Sequence, residues 1–482
     1  VLEERWQMYR YARSRTADGV AELLGNVLQR EHFGHMPDAG MRDGQRFVIG
    51  PDGLPDLRVN WYLGSAKWRR MARTTQRDYA YSLLVWLNYL AAIDSNWWDV
   101  DDEVATEFLF WRVTDPANER PVRTGSFARD LAGLKKFYML AGRRFGVVDP
   151  FADVEPPRIV RHADVKWLDP GGYERWRDVG IRGFDLTGRP DPWWRGRNEQ
   201  RDRAFVDGLY GSGLRVSEWA SVALPELPAY ERRRGFFTCE LADGCAKGGY
   251  GHKYWIPRTA LRTVLTYVEG ARAAAVRRAR AAGRYERVEG LNVVVEVHGT
   301  RSVTTLSDGR YRREQWNDVT PDTRLRLFRR TALGLEPVAL WLNENGLPRD
   351  PGGWEHTFTA ANQRIESLGL ENFSCTAHML RHSFALRWFA VGKLIKYSWL
   401  GHLTADEQRD FGEEVGDVWH LVQTMLGHRT VETTRDVYLE PFRSLEVEAL
   451  LAHADDSLVK AFMADVFADN PWVRTDPLAV TR

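Results

Sequence analysis

The sequence predicts a mainly α-helical protein with a small β-sheet, an α+β chain of at least two domains. Three observations lead there. At 482 residues the chain is too long for one compact core, so two or three domains are expected. Apolar residues recur at helical spacing over most of the chain, and strand-like alternation is a minority pattern. Between two patterned regions, VVDPFADVEPPRIVRHADV, with Pro150, Pro156 and Pro157, breaks the helical period and reads as a linker.

Residues 1–64 show no clear period, and FGHMPDAGMRDGQRFVIGPDGLPD is loop-like, so they form an N-terminal extension to which no role is assigned. A helical domain is expected over 65–158. In TTQRDYAYSLLVWLNYLAAI, Tyr79, Leu83, Trp86, Leu87 and Leu90 share a helical face, with Thr74 or Thr75 expected as N-cap. VDDEVATEFLFWRV opens with acids suited to a helix N-terminus. SFARDLAGLKKFYMLAGRRFG carries Leu131, Leu134, Phe137, Tyr138 and Leu140 as its apolar stripe. The second domain is expected over 165–455. RDRAFVDGLYGSGLRVSEWASVAL reads as helix, Gly turn at 211–213 and a second helix from Leu214; RRGFFTCELADGCAKGGYGHKYWIP reads as two strands around a Gly-rich turn. Further helices are expected in WEHTFTAANQRIESLG, AHMLRHSFALRWFAVG, VWHLVQTML, VETTRDVYLEPF and SLEVEALLAHA. Residues 270–335 read as a polar insertion, and 456–482 as a C-terminal tail.

A net charge of +1 argues against a simple basic nucleic-acid coat but leaves local basic surfaces open. The 67 basic residues include only nine lysines, and Arg is the better bidentate phosphate ligand, although G+C-rich codon usage explains the bias equally well. Arg73, Arg77, Arg129, Lys135 and Lys136 in the first domain are placed to track a DNA backbone; a solvated helix face is the plainer alternative. Cys239, Cys245 and Cys375 have no metal-ligand spacing and are expected as free thiols. No apolar run of eighteen residues and no signal-peptide layout occurs, so a cytoplasmic, nucleoid-associated location with no membrane contact is expected.

Four short pieces carry residues suited to phosphate chemistry. In GSGLRVSE, Arg215 follows a Gly-rich turn at a helix start, and Glu218 one turn on can hold its guanidinium. In HMLRH, His378 and Arg381 share a helical face; the alternative is a buried helix whose His378 and His382 satisfy backbone groups. In AKGGYGHKYWIP, Lys247 lies on a hairpin turn, with Lys253 competing for any role. In LGHRTVETTRDVYLEP, His428 follows a helix-ending Gly and Tyr438 falls in the second turn of the next helix, where a tyrosine is ordinarily core. Each piece alone has an ordinary structural reading. The ordered set Arg, Lys, His-x-x-Arg, Gly-His, Tyr does not.

That set resembles the tyrosine recombinase (phage integrase) family of site-specific DNA recombinases, over roughly residues 65–455. The resemblance implies a core-type DNA-binding domain and a catalytic domain that together form a clamp around DNA. It implies that Arg215 and Arg381 clamp the scissile phosphate, that His378 and His428 are the two active-site histidines, that Lys247 is the hairpin lysine and Tyr438 the nucleophile. Glu218 and His382 support them. A second Leu-Gly-His makes His402 a competitor, but no Tyr follows it at a useful distance. The long separation of Lys247 from His378 departs from compact members, and WLNENGLP at 341–348 resumes their pattern.

Two guanidiniums and two imidazoles aimed at the nonbridging oxygens offset the charge that grows as a phenol attacks a phosphodiester. The resemblance implies a 3′-phosphotyrosine, Lys247 as proton donor to the 5′ oxygen, and no metal or other cofactor. Its partners would be double-stranded attachment sites and three further copies in a homo-tetramer on synapsed DNA, the free protein being a monomer, with a directionality factor as a further partner. A type IB topoisomerase-like enzyme and a non-catalytic DNA-binding protein retaining the fold are the alternatives. Leu458, Val459, Phe462, Met463 and Val466 give the tail an apolar stripe, expected to pack on a neighbouring protomer, or else on its own domain.

Overall fold

The structure, a computed structural model, describes residues 5–11, 44–155, 167–298, 302–307, 309–400, 460, 463 and 473–478, the side chains of 386, 389, 390 and 392–400 excepted. The chain divides into two compact units, Val1–His162 and Ala163–Arg482.

In the first unit a short antiparallel pair, β1 (Gln7–Arg10) and β2 (Arg46–Ile49), precedes α1 (Leu57–Gly64), α2 (Arg73–Ala92), α3 (Asp102–Val113) and α4 (Thr124–Phe137). Leu83, Trp86, Leu87 and Leu90 of α2 are buried against Phe127, Leu131, Leu134 and Phe137 of α4, each worth about 1.5–3 kcal/mol on burial. Trp86 Nε1 donates to the Tyr138 hydroxyl (2.9 Å), which in turn donates to the Trp97 carbonyl, so these two buried aromatic side chains have their polar groups satisfied. Asp101 caps α3 through the Val104 amide.

Two expectations change here. Helix α2 begins at Arg73 with Ala72 at the cap position and no side-chain cap; Thr74 and Thr75 lie inside its first turn because the chain arrives from a short preceding helix, Ala66–Arg69. Val48, Val59, Tyr62 and Leu63 are fully buried in the same core, so residues 46–64 are part of the helical unit rather than an extension.

In the second unit, β3 (Trp167–Leu168) and α5 (Pro170–Trp176) lead to α6 (Glu199–Ser212) and α7 (Val216–Ala220). Strands β4 (Phe236–Glu240) and β5 (Lys253–Pro257) pair antiparallel. Helix α8 (Arg258–Tyr267) continues through a π-turn into α9 (Ala273–Ala281). Helices α10 (Trp354–Ser367) and α11 (Ala377–Leu400) close the described core around Trp176, Phe205, Trp219, Trp341 and Trp354.

The insertion read over 270–335 is corrected in both extent and character. Its start falls within the continuous α8–α9 segment. Beyond it, β6 (Asn292–His298), β7 (Ser302–Ser307), β8 (Arg310–Gln315), β9 (Leu327–Thr331) and β10 (Gly334–Pro337) form one five-stranded sheet in the order β10-β9-β6-β7-β8. Two small cores hold it: Phe328 and Leu335 pack on Val276, Ala279 and Tyr285, while Leu327 and Val338 pack on Ala223 and Val319. Part of the polar composition that marked this insertion belongs to β8, whose Arg310, Tyr311, Arg312 and Arg313 are exposed on the sheet edge.

Of the two packings left open for the tail, its described residues make contacts within their own unit. β11 (Val473–Arg474) pairs in parallel with β3 of its own unit, and Asp476 receives both Nε and Nη2 of Arg175 at 3.0 and 3.1 Å. Met463 is fully buried. Leu458, Val459, Phe462 and Val466 lie outside the described residues.

Candidate functional site

The site grows from the end of α6. Gly213 closes that helix at φ +67°, and a Cβ there would stand 2.4 Å from the Phe384 ring, so only glycine lets α6 meet α11 this closely. The chain then enters α7 with Arg215 at the N-cap position and Glu218 at the third helical position.

Glu218 is fully buried and gathers the site around its carboxylate. Oε2 accepts from the Arg215 amide (2.9 Å); Oε1 accepts from Arg215 Nη1 (2.8 Å) and from the Lys247 amide (3.2 Å). Burial alone would raise its pKa, but the Arg215 amide and guanidinium and the Lys247 amide hold it below the ordinary glutamate value. Arg381, in the second turn of α11 and 3 % exposed, donates from Nη1 to the Gly213 carbonyl at 2.6 Å and stands 4.0 Å from Glu218 Oε2. Desolvation, then the neighbouring Arg215, pushes the Arg381 guanidinium down to about 10, against the pull of Glu218.

His378 lies one turn before Arg381 and is exposed. Desolvation and the positive charges of Arg381, Arg215 and Lys247 lower its pKa, which leaves a neutral imidazole beside a cationic patch. His382 meets the His378 ring edge-on at 4.3 Å; burial, His378 and Arg381 push it down to about 4. Lys247 is exposed in the turn between β4 and β5, whereas Lys253 begins β5 opposite Glu240. Five of the residues singled out by motif, Arg215, Glu218, Lys247, His378 and Arg381, thus converge, and His382 backs them. His428, Tyr438 and the competing His402 lie outside the described residues.

His252 was missed. Its pKa is lowered by burial, with Glu218 acting upward and Arg381 and Arg215 downward, so it neighbours all three; its Nε2 is buried without a hydrogen bond among the described residues. The signal in the sequence is its place in the same Gly-rich turn as Lys247.

In the first unit, Arg73 and Arg77 are exposed at the start of α2, Arg77 paired with Asp78 at 3.1 Å. Arg129 is exposed on α4. Lys135 donates to the Ala152 carbonyl (3.2 Å), which gives it a structural task, and Lys136 is half-buried.

The three thiols are buried; burial pushes Cys239 up to about 12 and Cys245 to about 11, which makes both poor nucleophiles. Among the described residues no group of three or more His, Cys, Asp or Glu is gathered to hold a metal ion, and no helix is long and apolar enough to cross a membrane.

Among solved structures, the chain is similar to XerH site-specific recombinase bound to a palindromic difH substrate in a post-cleavage complex, at 13% identity and TM-score 0.42, over 83% of this chain and 85% of that one. It is similar to a lambda integrase dimer bound to a COC′ core site, at 11% identity and TM-score 0.41, over 89% and 85%. It is similar to the Tn1549 transposon integrase in complex with circular intermediate DNA, at 13% identity and TM-score 0.39, over 84% and 98%. No curated protein matches the chain. Residues 62–144, which span α2 to α4 of the helical unit, match the family described as phage integrase, N-terminal SAM-like domain. This domain match falls in the phage integrase family that the motifs of the second unit resemble.

Proposed function

We propose that the chain is a site-specific tyrosine recombinase that cleaves and rejoins double-stranded DNA to integrate or excise a mobile element. The observation that carries the reading is the convergence of two guanidiniums, Arg215 and Arg381, on the one buried carboxylate of Glu218, with His378 alongside and the Lys247 amide on the same oxygen as Arg215 Nη1. A buried carboxylate holding a cationic cluster open toward an exposed imidazole suits a phosphodiester, whose nonbridging oxygens take the donors that face outward.

In the reaction, the Tyr438 oxygen attacks phosphorus and loses its proton. The bond to the 5′ oxygen breaks, and Lys247 gives that oxygen a proton, leaving a 3′-phosphotyrosine and a free 5′ hydroxyl. Arg215, Arg381, His378 and His428 stabilise the charge on the nonbridging oxygens. The 5′ hydroxyl of a partner strand then attacks the phosphotyrosine, releasing Tyr438 and joining the strands; the energy of the broken bond is retained in the covalent link. Arg73, Arg77, Arg129 and Lys136 contribute to backbone binding. The reading extends to a homo-tetramer on synapsed sites, formed from monomers, with a directionality factor biasing the outcome.

The test uses a duplex nicked near the cleavage site, so that the short 5′ fragment is lost and the covalent complex accumulates. Wild type is expected to give a DNA-linked band in denaturing gels; Tyr438→Phe, lacking one oxygen and no phosphate-binding charge, is expected to bind duplex normally and give none. An equal covalent yield from the variant overturns the nucleophile. Joint products from two duplexes, rather than relaxation of a single circle, mark a recombinase, and the sequence of host–element junctions identifies the sites.

A further inference from the structure

The five-stranded sheet ends against the hairpin that carries Lys247. Strand β8 runs into a single turn, Trp316–Asp318, and from there three contacts reach the β4–β5 turn. The Asp243 amide donates to Asn317 Oδ1 at 3.0 Å, and Asn317 Nδ2 donates back to Asp243 Oδ2. The Cys245 thiol lies 3.6 Å from the Val319 carbonyl. A Cβ on Gly244 would stand 2.8 Å from the Asp318 carbonyl oxygen, so the two turns touch backbone to backbone.

Both sides of this clasp are anchored. Behind Asn317, Trp316 Nε1 donates to Glu226 (2.9 Å), and the buried Arg324 grips Glu226 at 2.6 and 2.9 Å and the Ser221 carbonyl, at the end of α7, at 3.0 Å. Within the hairpin, the other oxygen of Asp243 accepts the Gly251 amide. Asp243 therefore ties the two ends of a loop whose midpoint is Lys247, and among the described residues Lys247 itself has only its amide fixed, on Glu218.

We infer that Asn317 is a positioning residue: through Asp243 it sets the hairpin so that the Lys247 ammonium reaches the leaving 5′ oxygen. The sheet inserted between hairpin and α10 thus serves the reaction by holding the proton donor, not by touching DNA at the scissile phosphate. The inference rests on the proton-donor role proposed for Lys247.

Single-turnover cleavage is compared on two duplexes, one normal and one with sulfur at the 5′ bridging position, whose thiolate leaves without a proton. Misplacing a catalytic group by about 1 Å costs on the order of 10²-fold. Asn317→Ala is expected to lose roughly 10- to 100-fold on the oxygen substrate and to cleave the sulfur substrate within about threefold of wild type. The double variant Asp243→Asn with Asn317→Asp exchanges donor and acceptor, can still accept the Gly251 amide, and is expected to restore the oxygen rate. Leu333→Ala, in the exposed β9–β10 turn of the same sheet, is expected to match wild type on both. Equal loss on both substrates, no loss on either, or failure of the exchange to restore the rate overturns the inference. Lys247→Ala separates the two ideas. If it is rescued by sulfur and Asn317→Ala is not, only the positioning role falls; if Lys247→Ala is not rescued, the proton-donor reading falls and takes the positioning role with it.

Discussion

Replacing Glu218 with glutamine tests the centre of the site. The carboxylate has two acceptor oxygens for three close donors: the Arg215 amide at 2.9 Å, Arg215 Nη1 at 2.8 Å and the Lys247 amide at 3.2 Å. Glutamine offers one oxygen and one amide nitrogen. With its oxygen toward Nη1 and Lys247, its NH2 faces the Arg215 amide; turned over, it faces the other two. Either way at least one buried donor loses its partner, worth about 1–3 kcal/mol. The charge opposite Arg381 is lost as well, and breaking a buried pair costs about 3–5 kcal/mol, discounted here because Arg215 is 28% exposed and Arg381 stands 4.0 Å away. The expected sum is about 2–4 kcal/mol in urea denaturation, with cleavage slowed on the order of 10²-fold as both guanidiniums shift. The wild-type stability due to Glu218 is full above its ordinary pKa of 4.5 and is lost as pH falls through the lower folded value, so the variant should show a flatter acid limb. A stability change under about 0.5 kcal/mol, the range of an ordinary surface substitution, would refute the reasoning.

His382, pushed down to about 4 from 6.5, is disfavoured as a cation in the fold; its contribution is full above pH 6.5 and declines by no more than about 1.4 kcal/mol per pH unit down to pH 4. His382→Asn should flatten stability over that window, and an unchanged slope would count against the burial of this ring. His428→Ala should slow covalent-complex formation while His402→Ala leaves it near wild type; the reverse pattern would exchange their roles. Deleting residues 473–482 removes the strand on β3 and the Arg175–Asp476 pair, so the unfolding free energy measured in urea should fall by about 1–3 kcal/mol with the mass in solution unchanged. If instead stability holds and only recombination between two sites is lost, the tail acts between protomers.

Much of this was written in local pattern. The stripes of α2 and α4 follow from apolar spacing at 83, 86, 87, 90 and at 127, 131, 134, 137, because a helix must bury one face whatever it packs against. The Arg215–Glu218 pair was legible for the same reason: three residues apart at a helix start, they meet within one turn. What spacing does not encode is the partner across the chain. That Arg381 would donate to the Gly213 carbonyl, 168 residues away, depends on α6 and α11 packing without a side chain at 213. His252 became a neighbour of Glu218 only once β4 and β5 paired. The sheet was misread because its edge strand, RYRREQ, is exposed and polar, so that alternation gave no sign of it; its stability comes from contacts with α9 and with Ala223 that no local window contains. Local sequence thus determined the apolar stripes of α2 and α4 and where along the chain the charged side chains sit. Tertiary structure decided which of those charges share one buried carboxylate and what holds Lys247 beside it, since both depend on contacts between segments far apart in the chain.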